Sequence, residues 1–81
     1  MYEVYVLKSD CVDWFYVGMS SNTDKRLSQH NSGRVKSTKS KKPLKIIFTK
    51  KFGTRIQARD FEKYLKVRSN KEKLLRTLKY L

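Results

Sequence analysis

Two short runs of β-branched and aromatic residues near the start of the chain constrain its fold more than any other feature. They cover residues 2–7 and 14–18, and the polar stretch 9–13 lies between them. Runs of this composition around a turn predict an antiparallel β-hairpin. If Tyr5 pairs directly with Tyr16, their Cβ atoms lie about 5 Å apart on one face of the hairpin. A slip of one residue would send the two rings to opposite faces.

A cluster of helix-capping residues follows the hairpin. Residues 20–24 contain Ser, Asn, Thr and Asp, which are the preferred N-cap types. The helix that begins there is predicted to run to about Asn31, and Gly33 is predicted to end it. Arg26 and His30 are four residues apart, so they share one face of this helix.

A third strand and a second helix come next. Residues 44–52 have the composition of a strand, and Thr54 with Gln57 matches a capping box at the start of a helix. The apolar stripe of that helix contains three residues: Ala58, Phe61 and Leu65. Because Glu62 borders this stripe, its carboxylate is expected to face the domain rather than open solvent.

The C-terminal residues predict one more helix. An interruption is predicted around Ser69 and Asn70, where Ser69 with Glu72 forms a second capping box. One side of the last helix carries four leucines: Leu74, Leu75, Leu78 and Leu81. The elements together predict a single α/β domain over residues 1–81, because a chain of this length is too short for two domains.

Charge indicates the class of partner. Twenty Lys and Arg residues against seven Asp and Glu residues give a formal net charge of +13. An excess this large favours a polyanion, most often nucleic acid. The densest run lies in residues 34–43, and we expect this loop to be mobile in the free protein and to contact phosphates when DNA binds. Its candidate contacts are Arg34, Lys36, Lys39, Lys41 and Lys42. The alternative is a solvated loop without function.

The sequence also argues against several classes of protein. No apolar run approaches the roughly 20 residues that span a bilayer, and the N-terminus lacks the basic region of a signal peptide. We therefore expect a cytoplasmic protein without a membrane partner. Cys11 is the only cysteine, so neither an intrachain disulfide nor a cysteine zinc cluster is expected.

Five side chains have the chemistry that phosphodiester cleavage requires: Tyr5, Tyr16, Arg26, His30 and Glu62. An arginine can fork onto phosphate oxygens, a histidine can shuttle a proton, and a single carboxylate can hold Mg²⁺ or Mn²⁺. Each residue also has a structural alternative. The tyrosines could be core residues, the arginine and histidine surface residues, and Glu62 an ion-pair partner of Lys63 or Lys66. From the residues alone, the chain is a small basic nucleic-acid binder in which catalysis is permitted.

The spacing of these residues resembles the GIY-YIG nuclease family. The two signature tripeptides correspond to residues 3–5 and 16–18, and the family arginine falls on Arg26. The tyrosine or histidine one helical turn later falls on His30, and the metal-binding glutamate on Glu62. The chain is most similar in kind to small stand-alone members related to the N-terminal nuclease domain of the excision-repair protein UvrC.

This resemblance implies both a fold and a reaction. The fold is α/β (α+β), with a three-stranded antiparallel sheet flanked by helices. The reaction is hydrolysis of DNA with one divalent metal at Glu62, with Tyr5 as the leading candidate for the base, Tyr16 assisting and Arg26 stabilising the transition state. Two positions depart from the family pattern, because Glu3 replaces the first glycine and Met19 stands where repair-type members carry a lysine.

Three functions remain open at this point. The leading hypothesis is a metal-dependent DNA endonuclease. Branched or damaged DNA is among its candidate substrates. The second is a non-catalytic nucleic-acid-binding module on the same scaffold. The third is a protein-interaction domain whose charge serves solubility or an acidic partner. Binding to DNA would not separate the first two, because both predict an affinity that falls steeply with salt. The natural substrate and the oligomeric state are left open.

Overall fold

The computed structural model describes all residues 1–81. In chain order the strands and helices are β1 (Tyr2–Ser9), β2 (Phe15–Ser20), α1 (Thr23–Asn31), β3 (Leu44–Phe52), α2 (Arg55–Lys66) and α3 (Arg68–Thr77). A single 3₁₀ turn, Lys39–Lys41, lies in the basic loop before β3. The strands form one antiparallel sheet in the order β2-β1-β3. The predicted α+β architecture, a three-stranded antiparallel sheet flanked by helices, is confirmed.

The register of the hairpin differs from the prediction by two residues. Tyr5 lies opposite Gly18, and Tyr16 lies opposite Leu7. The direct pairing of Tyr5 with Tyr16 was therefore wrong, although both rings still share one face because side chains alternate with a period of two. The two rings are diagonal neighbours, with centroids 6.4 Å apart. β1 is two residues longer than predicted, so the turn begins later in the chain and each β1 residue pairs with a β2 residue two positions later than expected.

Gly18 is a glycine because the Tyr5 ring crosses directly over it. A Cβ atom at this position would lie 2.6 Å from the Tyr5 hydroxyl oxygen and 3.0 Å from a ring carbon of Tyr16. The Tyr5 ring cannot move away freely, because Tyr5 is 1% exposed. A side chain at Gly18 would therefore displace Tyr5 from its partners.

We expect Gly18→Ala to destabilise the protein by about 1–3 kcal/mol, the usual cost of overpacking a filled site. Gly53→Ala is the matched control, because a Cβ there meets only the Gln57 side chain at 3.9 Å. Thermal denaturation followed by circular dichroism measures both variants. Equal melting temperatures for the two variants would show that Tyr5 does not depend on the space above Gly18.

The sheet buries an apolar cluster on each of its two faces. One face packs against α2 through five buried residues: Val4, Val6, Val17, Ala58 and Leu65. Leu74 of α3 packs against the same cluster. The other face packs against α1, where Leu27 contacts the cluster of Tyr5, Leu7 and Leu44. Tyr5 thus belongs to a core cluster as well as to the candidate site, as the structural alternative for strand tyrosines anticipated.

The predicted start of α2 is confirmed, but the predicted start of α3 was wrong. The Thr54 side chain accepts a hydrogen bond from the Gln57 backbone N–H at 3.2 Å. The break between α2 and α3 falls at Val67, two residues before the predicted capping box, so Ser69 lies inside α3. Glu72 instead forms an ion pair with Arg68 at 3.0 Å.

The end of the chain also differs from the predicted pattern. Leu75 is buried, whereas Leu81 is 59% exposed and lies beyond the end of α3. Leu81 therefore does not share the packed side of the last helix with the other three leucines.

Asn70 donates its side-chain amide to the Tyr64 carbonyl at 2.9 Å, which satisfies a carbonyl at the end of α2. Cys11 is exposed. None of the helices combines the length and apolar character that a bilayer span requires.

Candidate active site

A chain of buried hydrogen bonds runs from β1 through α1 into the basic loop. The Tyr5 hydroxyl lies 3.0 Å from Nε2 of His30, and Nδ1 of His30 lies 2.8 Å from the Thr38 hydroxyl. His30 and Thr38 are each 0% exposed. The i, i+4 helix position predicted from the sequence brings His30 onto Tyr5, so the imidazole is a fully partnered buried group rather than a surface histidine.

Burial sets the ionisation of this pair. It raises the pKa of the Tyr5 hydroxyl from 10.0 to about 12; the Arg26 side chain opposes the shift, and the charges of Tyr16 and Glu62 add to it. Burial, with a smaller contribution from the Arg26 charge, lowers the pKa of His30 below its ordinary value. At neutral pH the pair is therefore a protonated phenol beside a neutral imidazole, because desolvation disfavours both charged forms.

A stack of aromatic rings continues from this pair toward the surface. The Tyr16 ring lies 5.0 Å from the His30 ring in an edge-on arrangement, and Trp14 stacks on the other side of Tyr16 with centroids 6.1 Å apart. The ammonium of Lys41 lies 5.7 Å from the centre of the Trp14 ring. Tyr16 and Trp14 are both partly exposed. These rings thus connect the buried pair with the basic loop at the surface.

Arg26 lies beside the pair, at the edge of a shallow polar cavity of about 290 Å³. The cavity is lined by Arg26, Ser20, Ser21, Asn22, Lys25 and Gln29. The Arg26 guanidinium donates to the Gln29 side chain at 2.9 Å and is close enough to Tyr5 to affect its pKa. Arg26 can therefore present donors to an anion in the cavity while its positive charge acts on the tyrosine.

Glu62 reaches the site from the other layer of the structure. It lies on α2, which packs on the sheet face opposite α1, and its negative charge raises the pKa of Tyr5. The side chain is 19% exposed and pairs with the Lys66 ammonium at 3.5 Å. The ion pair considered from the sequence is thus present, and the Glu62 charge makes the smallest of the contributions to the raised pKa of Tyr5.

The structure brings the five predicted site residues together, but not on one open concave face. Tyr5, Tyr16 and His30 are in ring contact, and Arg26 and Glu62 act electrostatically on Tyr5. Only Arg26 lines a surface cavity. The prediction of a single concave surface was wrong in this respect, because the Tyr5 and His30 side chains belong to the packed layer between the sheet and α1.

The basic loop is tied to the rest of the molecule at several points. The Ser9 hydroxyl donates to the Lys41 carbonyl at 2.6 Å, and the Asn31 side chain bonds both backbone groups of Leu44, at 2.7 and 3.0 Å. Among the loop's basic residues, Lys41 is partly buried and the remaining four are exposed: Arg34, Lys36, Lys39 and Lys42. Mobility therefore stays a prediction for these side chains, whereas the backbone groups of Thr38 and Lys41 are hydrogen-bonded.

The two departures from the family pattern have local explanations. The Glu3 carboxylate accepts a hydrogen bond from the Thr23 hydroxyl, which ties β1 to the start of α1. Met19 packs against the cluster on the α2 side of the sheet. A side chain at position 19 therefore faces away from Tyr5, and the missing lysine does not open a gap in the tyrosine–histidine contact.

Sequence reasoning missed Thr38 and Gly18. Thr38 stood among lysines and serines in a loop with no periodicity, so no sequence signal distinguished it from a solvated residue. The sequence shows Gly18 only as part of a signature tripeptide. Its role in making room for the Tyr5 ring depends on the hairpin register. Trp14 could have been found, because it lies two residues from Tyr16 and so shares its face.

The fold and the site together define a class of nuclease domains. Members of this class are small basic α+β domains with a tyrosine pair on the hairpin, an arginine and a histidine on the next helix, and a glutamate on the helix after β3. A model of the GIY-YIG catalytic domain matches residues 1–75. The chain therefore belongs to the GIY-YIG family, a family of nucleases that act on DNA and generally use divalent metals.

Curated relatives and a solved structure agree with this assignment. The chain is 36% identical over 72 residues to the UPF0213 protein YazA of Bacillus subtilis, covering 88% of this chain and 72% of that protein. It is 41% identical over 71 residues to the UPF0213 protein lwe0147 of Listeria welshimeri, covering 85% and 77%. The solution NMR structure of the UPF0213 protein BH0048 from Bacillus halodurans superimposes with a TM-score of 0.58 at 28% identity, covering 95% of this chain and 85% of that one.

Proposed function

We propose that residues 1–81 form one metal-dependent DNA endonuclease domain in which Tyr5 and His30 remove the proton of the attacking water. The observation that carries this proposal is the hydrogen bond between a buried phenol and a buried neutral imidazole. A histidine kept neutral at physiological pH can accept a proton, and the Tyr5 hydroxyl is hydrogen-bonded to it.

The proton transfer requires no free phenolate. With a pKa of about 12, Tyr5 is almost entirely protonated at neutral pH. Its oxygen can accept the proton of a water while its own proton passes to Nε2 of His30. The water becomes a hydroxide that attacks phosphorus, and the bond between phosphorus and the leaving sugar oxygen breaks. Tyr5 is unchanged, and His30 becomes an imidazolium. The leaving oxygen takes a proton from solvent water, and His30 then returns its proton through Tyr5 to the solvent.

The remaining residues stabilise the charge and hold the substrate. Arg26 would bind non-bridging phosphate oxygens from its position on the polar cavity, where its guanidinium can offer two parallel donors. Tyr16 is partly exposed beside Tyr5 and would donate a hydrogen bond to the same phosphate. The basic side chains of the loop, Arg34, Lys36, Lys39, Lys41 and Lys42, would neutralise neighbouring phosphates.

The donor set fits one magnesium or manganese ion held by Glu62. No group of three or more His, Cys, Asp or Glu side chains occurs in the structure, so a metal here has few protein ligands. Mg²⁺ commonly takes one or two carboxylates and keeps several waters. A bound divalent cation supplies positive charge against the phosphate oxygens. Glu62 would exchange the Lys66 ammonium, 3.5 Å away on a half-exposed side chain, for the metal.

Nicking of supercoiled plasmid tests this function. The protein should convert supercoiled DNA to the open-circular form with Mg²⁺ or Mn²⁺, and excess chelator should prevent the conversion. The rival is a non-catalytic nucleic-acid-binding module, which two observations favour: Tyr5 is 1% exposed, and Glu62 already has a cationic partner. That rival predicts salt-sensitive DNA binding and no nicking with either metal. Action on branched or damaged DNA, a role in DNA repair and a cytoplasmic location stay predictions.

The basic loop gives a quantitative prediction for binding. Replacing Lys39, Lys41 and Lys42 with glutamine should weaken DNA binding equally for all sequences. The slope of log K against log salt should fall by about two to three, because each lost phosphate contact removes about one. The matched control replaces Lys71, Lys73 and Lys79, which change the net charge equally but lie on or just after α3. Equal slopes for the two triple variants would mean that the loop contributes only general charge.

A further inference from the structure

The Thr38 hydroxyl is the one loop group that contacts the proposed proton acceptor. It lies in the basic loop, yet it is 0% exposed and sits 2.8 Å from Nδ1 of His30. Its oxygen also lies 3.3 Å from the Val35 carbonyl. A carbonyl can only accept, so the single hydroxyl proton of Thr38 goes either to the Val35 carbonyl or to Nδ1 of His30, and not to both.

The direction of the Thr38 hydroxyl bond decides which nitrogen of His30 carries the proton. If Thr38 donates to the Val35 carbonyl, its oxygen accepts from Nδ1–H of His30. A neutral imidazole has one N–H, so Nε2 then bears the free lone pair and accepts the Tyr5 hydroxyl proton at 3.0 Å. In the opposite direction Nε2–H would point at Tyr5, and the imidazole could not take a proton from it.

We propose that Thr38 is a positioning residue that holds His30 in the Nδ1–H tautomer with Nε2 available to Tyr5, so that the basic loop must be seated for the site to work. The inference rests on the proposed function for its catalytic half, whereas the tautomer itself is a property of the folded protein. The backbone of Thr38 is held in place on both sides. Its N–H donates to the Val35 carbonyl, and its own carbonyl accepts from the Lys41 N–H at 2.9 Å.

The link matters because the same loop carries the lysines expected to contact DNA. Lys39 and Lys41 form the 3₁₀ turn that begins directly after Thr38. Thr38, which contacts His30, is thus adjacent in sequence to Lys39, one of the lysines expected to contact phosphate. Two groups from other elements face the imidazole, Tyr5 of β1 and Tyr16 of β2, and Arg26 of its own helix also affects it. Glu62 of α2 acts on Tyr5.

His30 is the only histidine in the chain, so its ring can be observed without assignment. In protein labelled with ¹⁵N-histidine, the two ring nitrogens should show one protonated signal at Nδ1 and one unprotonated signal at Nε2 at neutral pH. Thr38→Val removes the hydroxyl at nearly constant volume and should shift the ring toward the Nε2–H tautomer. Thr38→Ser retains the hydroxyl and should restore the wild-type spectrum.

Cleavage provides the second readout. Thr38→Val should lower kcat by about tenfold to a hundredfold with little change in KM, as is typical when an outer hydrogen-bond partner is removed. Thr38→Ser should recover most of kcat.

An Nε2–H tautomer in the wild-type protein would overturn the proposal, as would Thr38→Val with a wild-type spectrum and kcat. If Thr38→Val fails to fold, the wild-type and Thr38→Ser spectra still decide the tautomer. If the wild-type protein does not nick DNA, the proposed function fails while the spectrum still tests Thr38.

Discussion

Glu62→Gln should abolish plasmid nicking while leaving the fold and the DNA affinity intact. A divalent cation contributes several kcal/mol to the stabilisation of a phosphoryl transition state, so losing its carboxylate ligand should cost more than about a hundredfold in rate. Glutamine keeps the volume of the side chain. The ion pair with Lys66 is lost, but the lysine side chain is 56% exposed and such pairs are worth at most about 1 kcal/mol. DNA affinity should stay equal or rise, because a negative charge disappears.

Glu72→Gln is a close control for this variant. Glu72 also pairs with a basic residue one helical turn away, at 3.0 Å from Arg68, and its side chain is 32% exposed. The same chemical change there should leave nicking at the wild-type rate. Glu62 would be a structural ion-pair residue, and the metal assignment wrong, if Glu62→Gln sharply lowered the melting temperature and still nicked plasmid normally. Single-turnover nicking, a filter-binding assay and thermal denaturation measure the three quantities.

Tyr5→Phe should have the second large effect on cleavage and should also lower stability. The phenylalanine ring keeps the packing in the core cluster, but the proton path to His30 is lost. General base catalysis contributes about 10²–10⁴-fold, so nicking should fall by at least about a hundredfold. Nε2 of His30 is left buried without its partner, which should cost about 1–3 kcal/mol of unfolding free energy.

Tyr64→Phe is the matched control for the lost hydroxyl. Tyr64 is 48% exposed on α2, and its ring stacks on Phe61, away from the tyrosine–histidine pair. This variant should cleave and melt like the wild-type protein. If Tyr5→Phe nicks plasmid at the wild-type rate, the hydroxyl takes no part in the reaction and Tyr5 is a core residue only.

Much of the architecture could be predicted because it depends on local patterns. The alternation in β1, the capping residues before α1 and the pairing of Thr54 with Gln57 act over a few residues, so a short window of sequence contains them. Arg26 and His30 share a face for the same reason, since helical periodicity is a local property. The break between α2 and α3 was predicted at residues 69–70 because Ser69 and Glu72 satisfy the capping pattern, whereas it falls at Val67. The Asn70 side chain instead bonds the Tyr64 carbonyl.

The candidate residues could be named from the sequence, but their arrangement could not. By itself the sequence determined a basic α+β chain whose hairpin and first helix bring two tyrosines, an arginine and a histidine near one another. Only the tertiary structure decided that Tyr5 lies over Gly18, that His30 is buried between Tyr5 and Thr38, and that Glu62 acts on Tyr5 from the other sheet face. These contacts join residues 8 to 57 positions apart, and they depend on the strand register, the loop path and the packing of two layers, which no local pattern encodes.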